Sequence, residues 1–349
     1  MRPSDAAEIS AVMAANALVV PRGAGHSTAG QAQARDGVVV DMTVLNTVHE
    51  IRPGHVTVDA GARWSEVLRA TLPRGLTPPV LTDYLELTVG GTLSVGGLGG
   101  ASHHHGAQTD NVLALDVVTP TGSLVTCTPD HNREVFDAVL GGRGRNGIIV
   151  TAMLRLVPAP ETVQWHRLHY GTTSELVADQ RLLVRAGSFD YVEGQLKIRD
   201  GQRVRELEAV SFTSASLDGL RFEESDTQVT SYWDFVNRLA AGEPVIRAAG
   251  LWDSPHPWCN VLLPDHAVES TLRHLESEGP ELYSDFGLIL AYPLLRDRIS
   301  RLELPDSELV FLVAALRYAP EDATAMQAAN EVLVQKALQA GGTLYLEPL

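Results

Sequence analysis

Residues 19–31 read Val19-Val20-Pro21-Arg22-Gly23-Ala24-Gly25-His26-Ser27-Thr28-Ala29-Gly30-Gln31, an apolar strand-like run that passes directly into a glycine-rich turn with a histidine inside it. Closely spaced glycines after a strand let backbone N–H groups approach a phosphate without side-chain obstruction. The spacing does not complete the GxGxxG of a dinucleotide fold, because Ala24 and His26 interrupt it and no long helix opens at once. The lysine of a P-loop is missing too.

Two more loops of this kind follow. One is Thr88-Val89-Gly90-Gly91-Thr92-Leu93-Ser94-Val95-Gly96-Gly97-Leu98-Gly99-Gly100, the other Gly141-Gly142-Arg143-Gly144-Arg145-Asn146-Gly147-Ile148-Ile149. Any one of them reads equally well as a tight turn or a close-packed helix start. Three together point to a large ligand containing a diphosphate.

Around these loops lie short strand-like runs at 38–41, 55–59, 112–118, 123–127 and 147–157, with helical patterns at 64–71 and 133–140. Pro158-Ala159-Pro160 continues neither a ladder nor a helix and marks a boundary, giving units at 1–158 and 161–349. Beyond it the pattern predicts strand 162–170, helix 174–185, a hairpin around Arg199-Asp200-Gly201, strand 260–263, helix 267–276, strand 309–316 and helix 323–340. The class is α+β, and its second unit is an antiparallel sheet flanked by helices.

Composition agrees with two packed units, since 349 residues exceed the roughly 250–300 at which one core stops growing. With 44% hydrophobic and 20% charged residues and no run of about 18 apolar residues, a soluble protein without a membrane partner is expected. A net charge of -16 repels phosphate backbones, so nucleic acid is not expected as a partner. Cys127 and Cys259 read as buried thiols of a reducing compartment. Asp5 and Glu8 look like the capping pair of a first helix at 6–16 and not part of a signal peptide, so a cytoplasmic location is expected. His103-His104-His105 is not read as a metal site, because adjacent side chains diverge and no acidic ligand motif accompanies them.

The blocks taken in order closely resemble the cytokinin dehydrogenases, flavoproteins of the vanillyl-alcohol oxidase type. They are His26 in Gly25-His26-Ser27 with Gly30-Gln31, Thr82-Asp83-Tyr84-Leu85 running into residues 87–94, His105-Gly106 with Gln108 and Asn111-Val112, and Gly147-Ile148-Ile149. The resemblance implies a two-subdomain FAD-binding unit followed by a substrate unit. It implies FAD bonded covalently to His26, with Gly23, Ala24, Gly25, Ser27, Gln31, Thr88, Ser94, Leu98 and Ile148 around it, and more weakly Tyr345. A neutral imidazole is a nucleophile, so the bond is chemically reasonable. Ala24 departs from the basic residue common in the family at that place.

By the same resemblance Asp83 is the catalytic carboxylate that holds the substrate amine. Glu193 in Phe189-Asp190-Tyr191-Val192-Glu193-Gly194, and Trp258 and Asn260 in Pro255-His256-Pro257-Trp258-Cys259-Asn260, are implied to bind substrate. From the residues alone Asp83 reads also as a turn or capping aspartate, and Trp258 as core. The implied reaction is oxidation of a secondary amine, an N6-isoprenoid adenine, by hydride transfer to FAD, with oxygen or a quinone as electron acceptor. Against the family the chain reads as shortened at both ends, with most of the C-terminal return to the flavin unit missing. The alternatives are an alcohol or sugar oxidase of the same superfamily, or a flavin-binding protein without turnover.

Overall fold

The computed structural model describes residues 1–199, 201–279, 282–283 and 286–346; Asp200 of the expected hairpin and the last three residues lie outside them. The chain packs as two units, residues 1–98 with 107–159, and residues 99–106 with 160–348. The passage near Pro160 coincides with the proline-rich junction. The short excursion at 99–106 is not apparent from the linear pattern.

In the first unit, helix Ala6–Ala15 starts where the Asp5 side chain accepts a hydrogen bond from the Glu8 N–H at 2.9 Å, while Glu8 accepts one from the Ser4 N–H at 2.8 Å. Asp5 is the N-cap that the Asp5/Glu8 spacing predicts, and Glu8 reaches back one residue further, to Ser4. Strand Val19–Arg22 pairs parallel with Val38–Asp41, so the strand that feeds the first glycine turn is fixed in register, Arg22 opposite Asp41. Beside this pair stands an antiparallel five-stranded sheet in the order Val48–Arg52, His55–Asp59, Ile148–Arg155, Val112–Val118, Leu124–Cys127. Ile9, Val40, Met42, Val118, Ile148 and Val150 form one buried cluster that ties the helix and the parallel pair to the sheet. Their burial supplies the nondirectional part of the stability, roughly 1.5–3 kcal/mol for each large side chain.

The second unit is one antiparallel sheet of eight strands. Their order is Glu224–Ser231, Thr162–His169, Gln202–Ser211, Tyr191–Arg199, Leu288–Leu295, Leu309–Leu316, Cys259–Pro264, Thr343–Leu344. Helices Thr173–Ala186, Asp265–Ser277 and Thr324–Gln339 bury Leu176, Leu183, Val268, Leu272 and Leu333 in one core with Leu196, Ile289, Val313 and Val261 of the strands. Because strand side chains alternate, residues 191, 193, 195 and 197 stand on the face opposite that core. Gln195, Leu290, Ala314 and Asn260 are paired across four strands and so share that second face.

Strands Leu288–Leu295 and Glu224–Ser231 are additions to the sequence expectation. The first carries Pro293, which argues against a central strand. It lies past Ala291, the last residue paired with Tyr191–Arg199, where a missing N–H breaks no bond to that neighbour. The second is polar except for the exposed Val229 and forms the sheet edge, where charge discourages further pairing. Among the described residues no helix is long and apolar enough to cross a membrane, and no group of three or more His, Cys, Asp or Glu could hold a metal ion. Cys127 and Cys259 are free and buried, and burial pushes both thiols up to about 11.

Candidate functional site

The three glycine loops meet in the first unit. A Cβ on Gly23 would lie 2.0 Å from Thr88 Oγ1, so the first and second loops touch through a contact that only glycine permits. The Gly141 and Arg143 N–H groups donate to the Leu93 and Ser94 carbonyls at 2.9 and 2.7 Å, which joins the third loop to the second. Gly144 lies against Pro21, where a Cβ would be 3.2 Å from the ring, and this closes the set. Loops well separated in sequence therefore share one corner.

His26 lies on the exposed side of that corner, its ring edge-on to Tyr84 with centroids 5.1 Å apart. Tyr84 follows Asp83, so the histidine and the carboxylate of the Thr82-Asp83-Tyr84-Leu85 block are held on adjoining loops. Asp83 is half-buried, and the Thr82 hydroxyl pins its turn by donating to the Tyr84 carbonyl at 3.2 Å. Gln31 steadies the first loop, accepting from the Ala29 N–H at 3.0 Å, and the exposed Ser27 lies between them. Ser94 donates to the Gly90 carbonyl at 2.7 Å. Leu98 and Ile148 are buried, the latter in the hydrophobic cluster.

An open concavity of about 560 Å³ adjoins the first loop, lined by Arg2, Arg22, Gly23, Ala24, Val39, Asp41, Thr43 and Arg63 among others. That volume lies within the usual range of small-molecule sites. Arg2 is paired with Asp41 at 3.2 Å and Arg63 with Glu86 at 2.8 Å. The Arg22 guanidinium lies over Gly25, whose φ of +82° turns the loop. A basic side chain beside backbone donors on a glycine turn is a donor set suited to a diphosphate, and here Arg22 supplies the charge that Ala24 does not. Gln108, 2% exposed, has a buried side-chain oxygen with no partner among the described residues, close against Gly97 of the second loop. The residues present thus fit an FAD.

In the second unit the named residues divide. Trp258, Asn260 and Tyr345 are neighbours. Trp258 is half-buried, its indole N–H donates to the Arg317 carbonyl at 3.0 Å, and its ring meets His256 edge-on at 5.5 Å. Asn260 accepts at its carbonyl from the Tyr345 N–H at 3.2 Å and keeps a half-buried side chain on the core-free face.

Glu193 stands three strands and two residues away on that same face, about 16 Å by strand and residue spacing. It is 1% exposed. Its carboxylate accepts from the Tyr191 hydroxyl, from Gln195 Nε2 at 2.8 Å and from Arg238 Nη2 at 3.2 Å. Arg238 also bonds Glu208 at 2.9 Å and lies over the Tyr191 and Phe235 rings. Glu193 is therefore a fixed, compensated charge.

Sequence reasoning missed Arg22, Tyr84, Arg238 and Arg317. Only Arg22 and Tyr84 carried a local signal, as direct neighbours of quoted motif residues.

A model described as an FAD binding domain matches residues 1–128, and one described as cytokinin dehydrogenase 1, FAD and cytokinin binding, matches 160–228 and 213–342. An uncharacterized oxidoreductase, ORF5 of the fasciation locus in Rhodococcoides fascians, is 42% identical over 347 residues, 95% of this chain and 79% of that protein. Cytokinin dehydrogenases 10 and 7 of Oryza sativa subsp. japonica are each 36% identical across 91% of this chain, covering 70% and 72% of their own lengths. With the histidine-bearing glycine corner in place, these similarities make the chain a member of the cytokinin dehydrogenase family of FAD-dependent oxidoreductases.

Proposed function

We propose that the protein oxidises a secondary amine of the N6-isoprenoid adenine class, with FAD attached covalently through His26. The observation that carries this reading is the convergence of the three glycine loops on a corner where His26 stands against Tyr84, the residue next to Asp83. When bound, FAD supplies the acceptor for the hydride leaving the carbon beside nitrogen. Asp83 accepts the amine hydrogen, orienting the nitrogen and holding its proton as the imine forms. Water then splits the released imine into an aldehyde and adenine. In the second unit Trp258 offers a flat face to a purine and Asn260 an amide that both donates and accepts. Glu193, held by Arg238, Tyr191 and Gln195, is a fixed, compensated carboxylate that keeps its part of the core-free face rigid.

Anaerobic mixing with N6-isopentenyladenine tests the substrate class. Bleaching of the flavin absorbance is expected, whereas no bleaching, or bleaching by a polyol panel instead, removes the amine reading. Linkage is tested separately by acid precipitation: the flavin should stay with the native protein and become extractable in His26→Ala.

A further inference from the structure

The block Pro255-His256-Pro257-Trp258 has two prolines, so two of its backbone positions have no N–H with which to anchor themselves. It is held through carbonyls and one indole instead. The Ala319 N–H donates to the Pro255 carbonyl at 3.0 Å, Asn330 Nδ2 to the Pro257 carbonyl at 2.8 Å, and the Trp258 indole N–H to the Arg317 carbonyl at 3.0 Å.

Two of the three holders are themselves locked together. Arg317 is 0% exposed, and its guanidinium donates to Asn330 Oδ1, to Glu278 Oε2 at 2.6 Å and to the Tyr283 hydroxyl at 2.9 Å. Tyr283 in turn donates to Glu278 at 2.6 Å, and the Arg317 guanidinium also lies over its ring. A buried cation with this many charge-assisted bonds costs too much to move, so the Arg317 main chain and the Asn330 amide are rigid points. The ring of Trp258 is tied to the first and its preceding residue to the second.

We propose that Arg317 and Asn330 are positioning residues that fix the plane of the Trp258 indole and so set the substrate wall. The proposal rests on Trp258 being that wall. In this arrangement the amide of Asn330 must present its oxygen to Arg317 and its nitrogen to Pro257, a demand that aspartate meets only by half. Asn330→Asp keeps an acceptor for Arg317 but turns a second acceptor toward the Pro257 carbonyl, freeing the block.

Steady-state kinetics on the flavin-loaded protein with N6-isopentenyladenine test this. Asn330→Asp should raise KM about 5- to 10-fold, the loss of one hydrogen bond, with kcat within about twofold and flavin content unchanged. Trp258→Phe, which keeps a flat ring and gives up the bond to Arg317, should raise KM in the same direction and carries the test if Asn330→Asp folds poorly. The double variant Trp258→Ala/Asn330→Asp should be no worse than Trp258→Ala alone. If Trp258→Ala raises KM while Asn330→Asp and Trp258→Phe leave it unchanged, the positioning role is overturned. If Trp258→Ala itself leaves KM unchanged, the substrate wall lies elsewhere and the proposal falls with that reading.

Discussion

Gly23 has no room for even a methyl group. Its place in the corner depends on Thr88 Oγ1, which would stand 2.0 Å from an added Cβ, so Gly23→Ala should push the two loops apart at a cost of about 1–3 kcal/mol. Flavin content per protein should fall together with the thermal midpoint. Thr88→Ala in the same chain should recover much of both, since the next atom, Thr88 Cβ, is 3.2 Å away and needs only a small shift. Asp83→Asn makes the opposite prediction: flavin content is kept while the rate of anaerobic flavin reduction falls about 10²- to 10⁴-fold, the usual worth of a positioned acid or base. Stopped-flow absorbance separates the two variants. His26, Asp83 and the glycines were legible in the sequence because a strand-glycine-histidine pattern and a short block around an aspartate are local. What is not local is the contact between them: Tyr84 stands inside the quoted block, but nothing in the sequence tells that its ring meets His26.

The strand Tyr191–Arg199 and the turn Arg238–Ala241 belong together energetically though forty residues separate them. Alternation puts Glu193 on the core-free face, register puts Glu208 directly opposite, and two buried carboxylates at that distance require a cation. Arg238, delivered by the turn after helix Tyr232–Val236, is that cation. Arg238→Met should therefore destabilise the protein by about 3–5 kcal/mol, read from urea unfolding, because it leaves the charges uncompensated. Glu208→Gln added to it should recover part of the loss, and failure to recover would mean that the stacking of Arg238 on Tyr191 and Phe235 matters more than its charge. Glu193 was legible as a candidate from its sequence block, but its saturation was not: Tyr191 and Gln195 flank it on its own strand, while the cation that completes the set, Arg238, comes from a distant turn. The same limit hid strands Leu288–Leu295 and Glu224–Ser231: a proline in one and a nearly all-polar composition in the other contradict the local signature, and their place in the sheet comes from pairing partners.

At the scale of the molecule, the α+β class was readable from periodicity, but the excursion at 99–106 was not. It is fastened by contacts ninety residues away: the Val192 N–H donates to the Gly100 carbonyl at 3.0 Å, and a Cβ on Gly100 would lie 2.5 Å from the Tyr191 ring. His103, on this excursion and 1% exposed, has Nδ1 2.8 Å from the Gly100 carbonyl and Nε2 3.0 Å from that of Phe189, while His104 Nε2 approaches the same Phe189 oxygen at 2.9 Å. Burial first, and then the neighbouring His104, push His103 down to about 4 from an ordinary 6.5. Burial also lowers His105, His166 and His256. For a histidine held neutral in the fold, the unfolded chain takes up the proton first as pH falls, so stability is full above about 6.5 and drains away between 6.5 and 4. His103 alone is worth on the order of 3 kcal/mol over that window, and the other three add to the same slope. Thermal midpoints taken at pH 7.5 and 4.5 should therefore differ by several degrees more than those of His103→Gln, which has no proton to gain. That variant should be the less stable of the two at pH 7.5 and show the shallower acid limb; an acid limb as steep as the parent's would mean that His103 already carries its proton in the folded protein.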